Sequence, residues 1–169
     1  MGRFEKDKNQ PILPWVNKFY KNVFGVERCS AVVNADLQEA GIDKILRFKK
    51  GSLRQSITVD EKIRYRFYND ILLEEYSNYE ERTPGWLIKN NTLCDYISYI
   101  FKNQKIVYLF EYKKLKESWD RNYQHWLEKY GRKFGKTTDR FGNVLYRTSN
   151  IPVPLAELNV DITNQTEPI

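Results

Sequence analysis

Two short runs of alternating apolar residues, one on each side of Lys49-Lys50-Gly51-Ser52, constrain this chain more than anything else in it. Ile42–Phe48 and Ser56–Ile63 both repeat with period two, which predicts strands, and the glycine-containing loop between them predicts a hairpin. A two-residue loop at Gly51-Ser52 sets Asp43 opposite Asp60 and Leu46 opposite Ile57. Because side chains alternate between faces, one face collects Ile42, Leu46, Phe48, Ile57, Val59 and Ile63. The other collects Asp43, Asp60 and Lys62. Lys44 and Glu61 fall on the apolar face, and Ile45 falls on the polar one. A slip by one residue would bury the charges. A longer or bulged loop would shift the pairing by an even number and keep the faces.

Other segments fill out the plan. A helix is expected over residues 11–25, with Trp15, Phe19 and Val23 in a stripe beside Val16 and Tyr20, and with Gly25 as its stop. A short second helix over Asn34–Ala40 would be capped by Asn34 and ended by Gly41. Asp70–Tyr76, Thr92–Phe101 and Ile106–Tyr112 are further strand candidates, the last two rich in aromatic and β-branched residues. The helical period returns over Lys113–Tyr130, where Leu115, Trp119, Tyr123, Trp126 and Tyr130 form a stripe that reads as core packing. Gly135 and Gly142 suggest a last hairpin within Phe134–Arg147. The segment from Pro152 and Pro154 onward is expected to be an extended arm, frayed at its end. The whole reads as one α/β (α+β) domain over 1–169. It has a core at about 30–112, a basic helix over 113–130 and a tail over 148–169.

Composition removes several classes of function. Two cysteines, Cys29 and Cys94, are too few for a disulfide framework or a four-cysteine zinc site. A single histidine, His125, excludes histidine-rich metal sites, and its place in a helix near two tryptophans reads as surface or interface. No apolar run is long enough to span a membrane, and Met1–Gln10 lacks the apolar centre of a signal peptide, so a cytoplasmic protein is expected. No glycine-rich phosphate loop is present, which weighs against an enzyme of small phosphorylated metabolites. The formal net charge is +6. Between Lys113 and Arg140 nine basic residues meet four acids, whereas the chain after Arg147 carries only acids. Such a distribution suits a polyanion partner.

The polar face of the hairpin holds the chemistry. Like charges directly opposite on adjacent strands destabilise a sheet, so Asp43 facing Asp60 needs a compensating partner. A divalent cation held by both carboxylates would supply it. Lys62 lies about 7 Å from Asp60 along the strand and on the same face, within reach of a phosphate oxygen or an attacking water. Two acids, a metal and a lysine suit metal-assisted phosphodiester hydrolysis. Lys49, Lys50 and Arg54 at the hairpin tip, with Arg64 and Arg66 beyond Lys62, would grip phosphates. Trp86, after the Thr83-Pro84-Gly85 turn, is a candidate for stacking on a base, although a tryptophan there more often plugs a core. If the third strand lies beside the second, Glu74 or Glu75 would approach the metal.

The order of helix, Gly41-Ile42-Asp43 strand, strand with Asp60-Glu61-Lys62, then apolar strand resembles the PD-(D/E)XK nuclease superfamily. The likeness covers about residues 30–112. Ile42 stands where the motif has proline, and Asp60 stands where glutamate is commoner. The resemblance implies a restriction-endonuclease-like mixed central sheet of about five strands flanked by helices. It implies Asp43 and Asp60 as metal ligands, the Glu61 carbonyl as a further ligand, Lys62 as the catalytic lysine and Mg²⁺ or Mn²⁺ as the ion. Members often place an acid on the preceding helix, for which Glu39 and Asp36 are both candidates. The expected function is a metal-dependent nuclease, with DNA favoured over RNA as the partner. A homodimer would let two sites cut two strands. The alternative is a non-catalytic module on the same fold, binding nucleic acid or protein, with a vestigial metal site.

Overall fold

A computed structural model describes residues 13–166 of the chain. In chain order it contains helix α1 (Pro14–Phe24), strand β1 (Arg28–Ala31), helix α2 (Ala35–Glu39), β2 (Lys44–Lys50), β3 (Leu53–Arg64), β4 (Asp70–Asn78) and β5 (Thr83–Pro84). There follow β6 (Tyr96–Phe101), β7 (Ile106–Glu111), α3 (Tyr112–Tyr130), β8 (Lys133–Thr138), β9 (Val144–Pro154), a 3-10 turn (Leu155–Glu157) and β10 (Thr163–Thr166). The fold is α+β. Residues 11 and 12 of the expected first helix, and the last three residues of the tail, lie outside the described residues.

The chain forms two compact units, so the core expected at about 30–112 is interrupted. The first unit takes the chain as far as Arg66, then Leu93–Tyr112, and then the segment from Ile162. Its mixed sheet has the order β1-β2-β3-β6-β7-β10, with β3 and β6 parallel and every other pair antiparallel. Helix α1 begins on Pro14, whose fixed φ suits a first helical position, and it stops at Gly25, which takes a positive φ of 61°. Its buried face is Val16, Phe19 and Tyr20, packed with Leu46, Val59, Ile100, Val107 and Leu109. Val23, expected in the stripe, is 37% exposed. The Asn34 side chain accepts the Leu37 N–H at 3.0 Å and so caps α2 as the sequence predicts.

The β2–β3 hairpin has the expected register: Lys50 faces Leu53, Leu46 faces Ile57 and Lys44 faces Val59. Gly51 supplies the positive φ (63°) that the first central position of a tight hairpin favours. A parallel neighbour needs a long crossover, and residues 65–95 provide it between β3 and β6. The two edges of β3 are therefore occupied by β2 and β6. The strand over Asp70–Asn78 is not beside β3, contrary to one condition set by the sequence.

That strand, β4, belongs to the second unit, Phe67–Thr92 with Lys113–Asp161, whose antiparallel sheet has the order β5-β4-β9-β8. On α3 the buried side chains are Leu115, Ser118, Trp119 and Trp126. Glu75 is held by a fork from Arg132, with Nε at 2.7 Å and Nη2 at 2.9 Å, by the Ser149 hydroxyl at 3.1 Å and by the Tyr123 hydroxyl. Burial raises the Glu75 pKa, but these donors outweigh it and hold the carboxyl below its usual range. Residues 148–154, expected to begin an extended arm, are extended but belong to a sheet as part of β9. Pro152 and Pro154 pair with Leu72 and Asp70 on β4, and Ile151 and Val153 are fully buried. β8 covers β9 only as far as Asn150. Beyond it one edge of β9 is open, and both prolines can turn their missing N–H to that edge. Among the described residues no helix is long and apolar enough to cross a membrane.

Candidate active site

The open end of the β2–β3 ladder brings the two aspartates together. The Asp43 N–H donates to the Val59 carbonyl at 2.9 Å, and its own carbonyl accepts the Val32 N–H at 2.8 Å. One oxygen of its carboxylate accepts the Glu61 N–H at 2.8 Å, taking the place of a ladder bond. In an extended strand a residue turns its N–H and C=O to the same edge. The Glu61 carbonyl is therefore on the Asp43 side of β3. Asp60 is 2% exposed. The Lys62 Nζ lies 2.8 Å from its Oδ1, while its Oδ2 is buried without a hydrogen-bond partner.

Electrostatics register the crowding. Burial, then the neighbouring Asp60 carboxylate, push the Asp43 carboxyl up to about 7, against the opposing pull of Lys62 and the Glu61 N–H. An orphaned carboxylate oxygen beside a second carboxylate of raised pKa is a donor set that a hard divalent cation fits. Asp43, Asp60 and the Glu61 carbonyl are the groups that would hold one. Among the described residues no group of three or more His, Cys, Asp or Glu side chains is placed to hold a metal ion.

The residues that looked misplaced in the sequence find each other on the opposite face. The Lys44 Nζ lies 2.9 Å from the Glu61 Oε1 and donates to the Asn17 Oδ1 at 3.0 Å, while the Tyr20 hydroxyl donates to the same glutamate oxygen at 2.8 Å. This buried network ties β3 to β2 and α1 directly behind Asp60 and Lys62. No pattern in the sequence marks it, because it needs Asn17 and Tyr20 from a helix distant in the chain. Cys94 is a second residue that the sequence did not point to. It is buried, and its thiol is pushed up to about 12 by burial first and by Asp60 second, with Lys62 opposing. Next to it, Asp95 accepts the Thr58 N–H at 2.7 Å and returns its own N–H to the Thr58 carbonyl at 3.0 Å, closing β3 onto the entry of β6.

The remaining expected residues scatter. Lys49, Lys50, Arg54 and Arg66 are exposed, with Lys49 directly opposite Arg54 at the hairpin tip. Arg64 is half-buried and shares strand parity with Asp60 and Lys62. Glu39 and Asp36 are exposed on α2 rather than part of the buried cluster. Glu74 belongs to the second unit, where its carboxylate accepts the Trp86 N–H at 3.4 Å. Trp86 is 8% exposed, so its ring fills a core and offers no stacking platform. Comparison with family models, curated proteins and solved structures found no match to this chain.

The raised Asp43 pKa has a consequence for stability. Between its ordinary value of 3.8 and about 7, the native state holds a proton that the unfolded chain has released. Metal-free stability therefore falls as pH rises through that window, and the full penalty is present above it. Asp43→Asn removes the penalty and keeps an acceptor for the Glu61 N–H. In EDTA the variant is expected to gain on the order of 2 kcal/mol at pH 8, a figure discounted for partial exposure, and clearly less at pH 5. Equal urea midpoints for parent and variant at both pH values would show that the two carboxylates do not crowd each other.

Proposed function

We propose that the chain is a divalent-metal-dependent nuclease that hydrolyses phosphodiester bonds in DNA, with Asp43, Asp60 and Lys62 as its catalytic residues. The observation that carries this reading is the meeting of two carboxylates at the end of one hairpin. One of their oxygens is buried and unpartnered, and an amine is fixed on the other side. The mixed sheet and the placement of Asp43 at the entry to β2, beside Asp60 on the neighbouring β3, support the resemblance to PD-(D/E)XK nucleases.

Asp43, Asp60 and the Glu61 carbonyl would hold the ion, Mg²⁺ or Mn²⁺. When bound, it lowers the pKa of a water and neutralises charge gathering on the phosphate. Asp60 tethers the Lys62 amine at 2.8 Å, which limits where its remaining protons can point. Lys62 donates to the attacking water or to a phosphate oxygen and stabilises charge that develops there. Lys49, Lys50, Arg54, Arg64 and Arg66 neutralise flanking phosphates. The setting is cytoplasmic, with Cys29 and Cys94 as free thiols.

The test is incubation of the purified chain with plasmid, linear duplex, single-stranded DNA and RNA in Mg²⁺, Mn²⁺, Ca²⁺ or EDTA. Cleavage of DNA is expected in Mg²⁺ or Mn²⁺, with little in Ca²⁺ and none in EDTA. If all four nucleic acids stay intact in every metal, the nuclease reading fails, and binding without cleavage would favour a non-catalytic module.

A further inference from the structure

The β8–β9 hairpin of the second unit carries four basic side chains, Lys133, Lys136, Arg140 and Arg147, against one acid, Asp139. That acid is engaged within the turn. Its carboxylate accepts the Phe141 N–H at 2.8 Å, the Asn143 N–H at 2.9 Å and the Asn143 Nδ2 at 2.9 Å. The turn is thereby preorganised, and at its tip Phe141 is 74%, Val144 50% and Leu145 61% exposed. The Arg140 guanidinium lies over the Phe141 ring, 4.6 Å from its centroid. Farther down the hairpin Lys136 stands directly opposite Arg147. Like charges so placed oppose sheet formation, and Glu80 offsets only one of them, through its bond to Arg147. An ordered turn that exposes an aromatic ring and two aliphatic side chains, with cations along its stem, is complementary to an anionic surface with apolar features inside it.

We infer that this hairpin is an arm that enters a groove of duplex DNA, placing Lys133, Lys136 and Arg140 against phosphates and Phe141 and Leu145 against base edges. The inference rests on the nuclease reading for the choice of nucleic acid as the polyanion. Groove shape favours DNA over RNA. The B-form major groove, about 12 Å wide, admits a two-stranded ribbon, and thymine methyl groups offer it apolar contacts. The A-form major groove is too deep and narrow for side chains to read.

Fluorescence anisotropy of the full chain in EDTA tests the inference, with a labelled DNA duplex, an RNA duplex and phosphatidylserine vesicles as probes. Phe141→Ala is expected to weaken duplex DNA binding about ten-fold. Lys136→Ala with Arg140→Ala is expected to reduce the salt-dependence slope by about 2. Both sets of side chains are exposed, so thermal melts should match the parent. Unchanged DNA affinity and slope in both variants would overturn the inference. So would RNA duplex binding of equal strength and equal Phe141 dependence, or a Phe141 effect confined to vesicles. Neither metal nor cleavage enters this readout. A chain that binds DNA through the arm but cuts nothing would refute the nuclease reading alone.

Discussion

Lys44→Ala is expected to destabilise the first unit by about 3–5 kcal/mol, the usual cost of leaving one member of a buried ion pair alone. Lys44 and Glu61 side chains are 8% and 9% exposed. Without the ammonium, Glu61 keeps the Tyr20 hydroxyl at 2.8 Å as its hydrogen bond on this face, and the Asn17 carbonyl oxygen loses its donor. The loss is a large part of the stability of an ordinary domain. Removing the partners together should recover most of it. Lys44→Met with Glu61→Leu leaves the Tyr20 hydroxyl and the half-buried Asn17 Oδ1 to satisfy, and adding Tyr20→Phe removes the first of these. Urea denaturation of the single, double and triple variants measures the coupling. A loss below about 1 kcal/mol for the single change would mean that the pair is solvated like a surface ion pair.

In the proposed nuclease, Lys62→Ala and Asp60→Asn are expected to depress cleavage by different routes. There Lys62 would contribute a charge-assisted donor where negative charge develops, so its removal should lower the rate about 10²–10³-fold. Mn²⁺ affinity should survive, because the buried Asp60 carboxylate is then free of its ammonium partner at 2.8 Å. Asp60→Asn should weaken Mn²⁺ binding itself, since it removes one of two carboxylates and the amide is a poorer ligand for a hard cation. Calorimetric Mn²⁺ titration beside single-turnover cleavage separates the two effects. Identical losses of metal affinity in both variants would contradict the roles assigned to them.

The candidate site was legible in the sequence because a hairpin is a local object. Gly51-Ser52 set the register, and period two then put Asp43, Asp60 and Lys62 on one face without any knowledge of the rest of the chain. Lys44 and Glu61 were visible as exceptions to the pattern but not as a pair. Their explanation lies in Tyr20 and Asn17, which only folding brings near. Partner choice between distant strands was not legible for the same reason. The alternation in Asp70–Tyr76 marks a strand but does not say that β6, rather than β4, takes the free edge of β3. The short strands Arg28–Ala31 and Thr163–Thr166 were missed because four residues carry little periodic signal. Pro152 and Pro154 mark extended backbone, but nothing local says that it joins a sheet; β9 accepts both prolines because one of its edges is open past Asn150.

In the proposed nuclease Asp43 and Asp60 converge on a divalent ion. Crystals soaked in Mn²⁺ and measured for anomalous scattering test it most directly. A peak is expected within coordination distance of both carboxylates and of the Glu61 carbonyl, lost in Asp60→Asn. A well-ordered pair of aspartates with no peak between them, at saturating Mn²⁺ and a pH above 7, would contradict it.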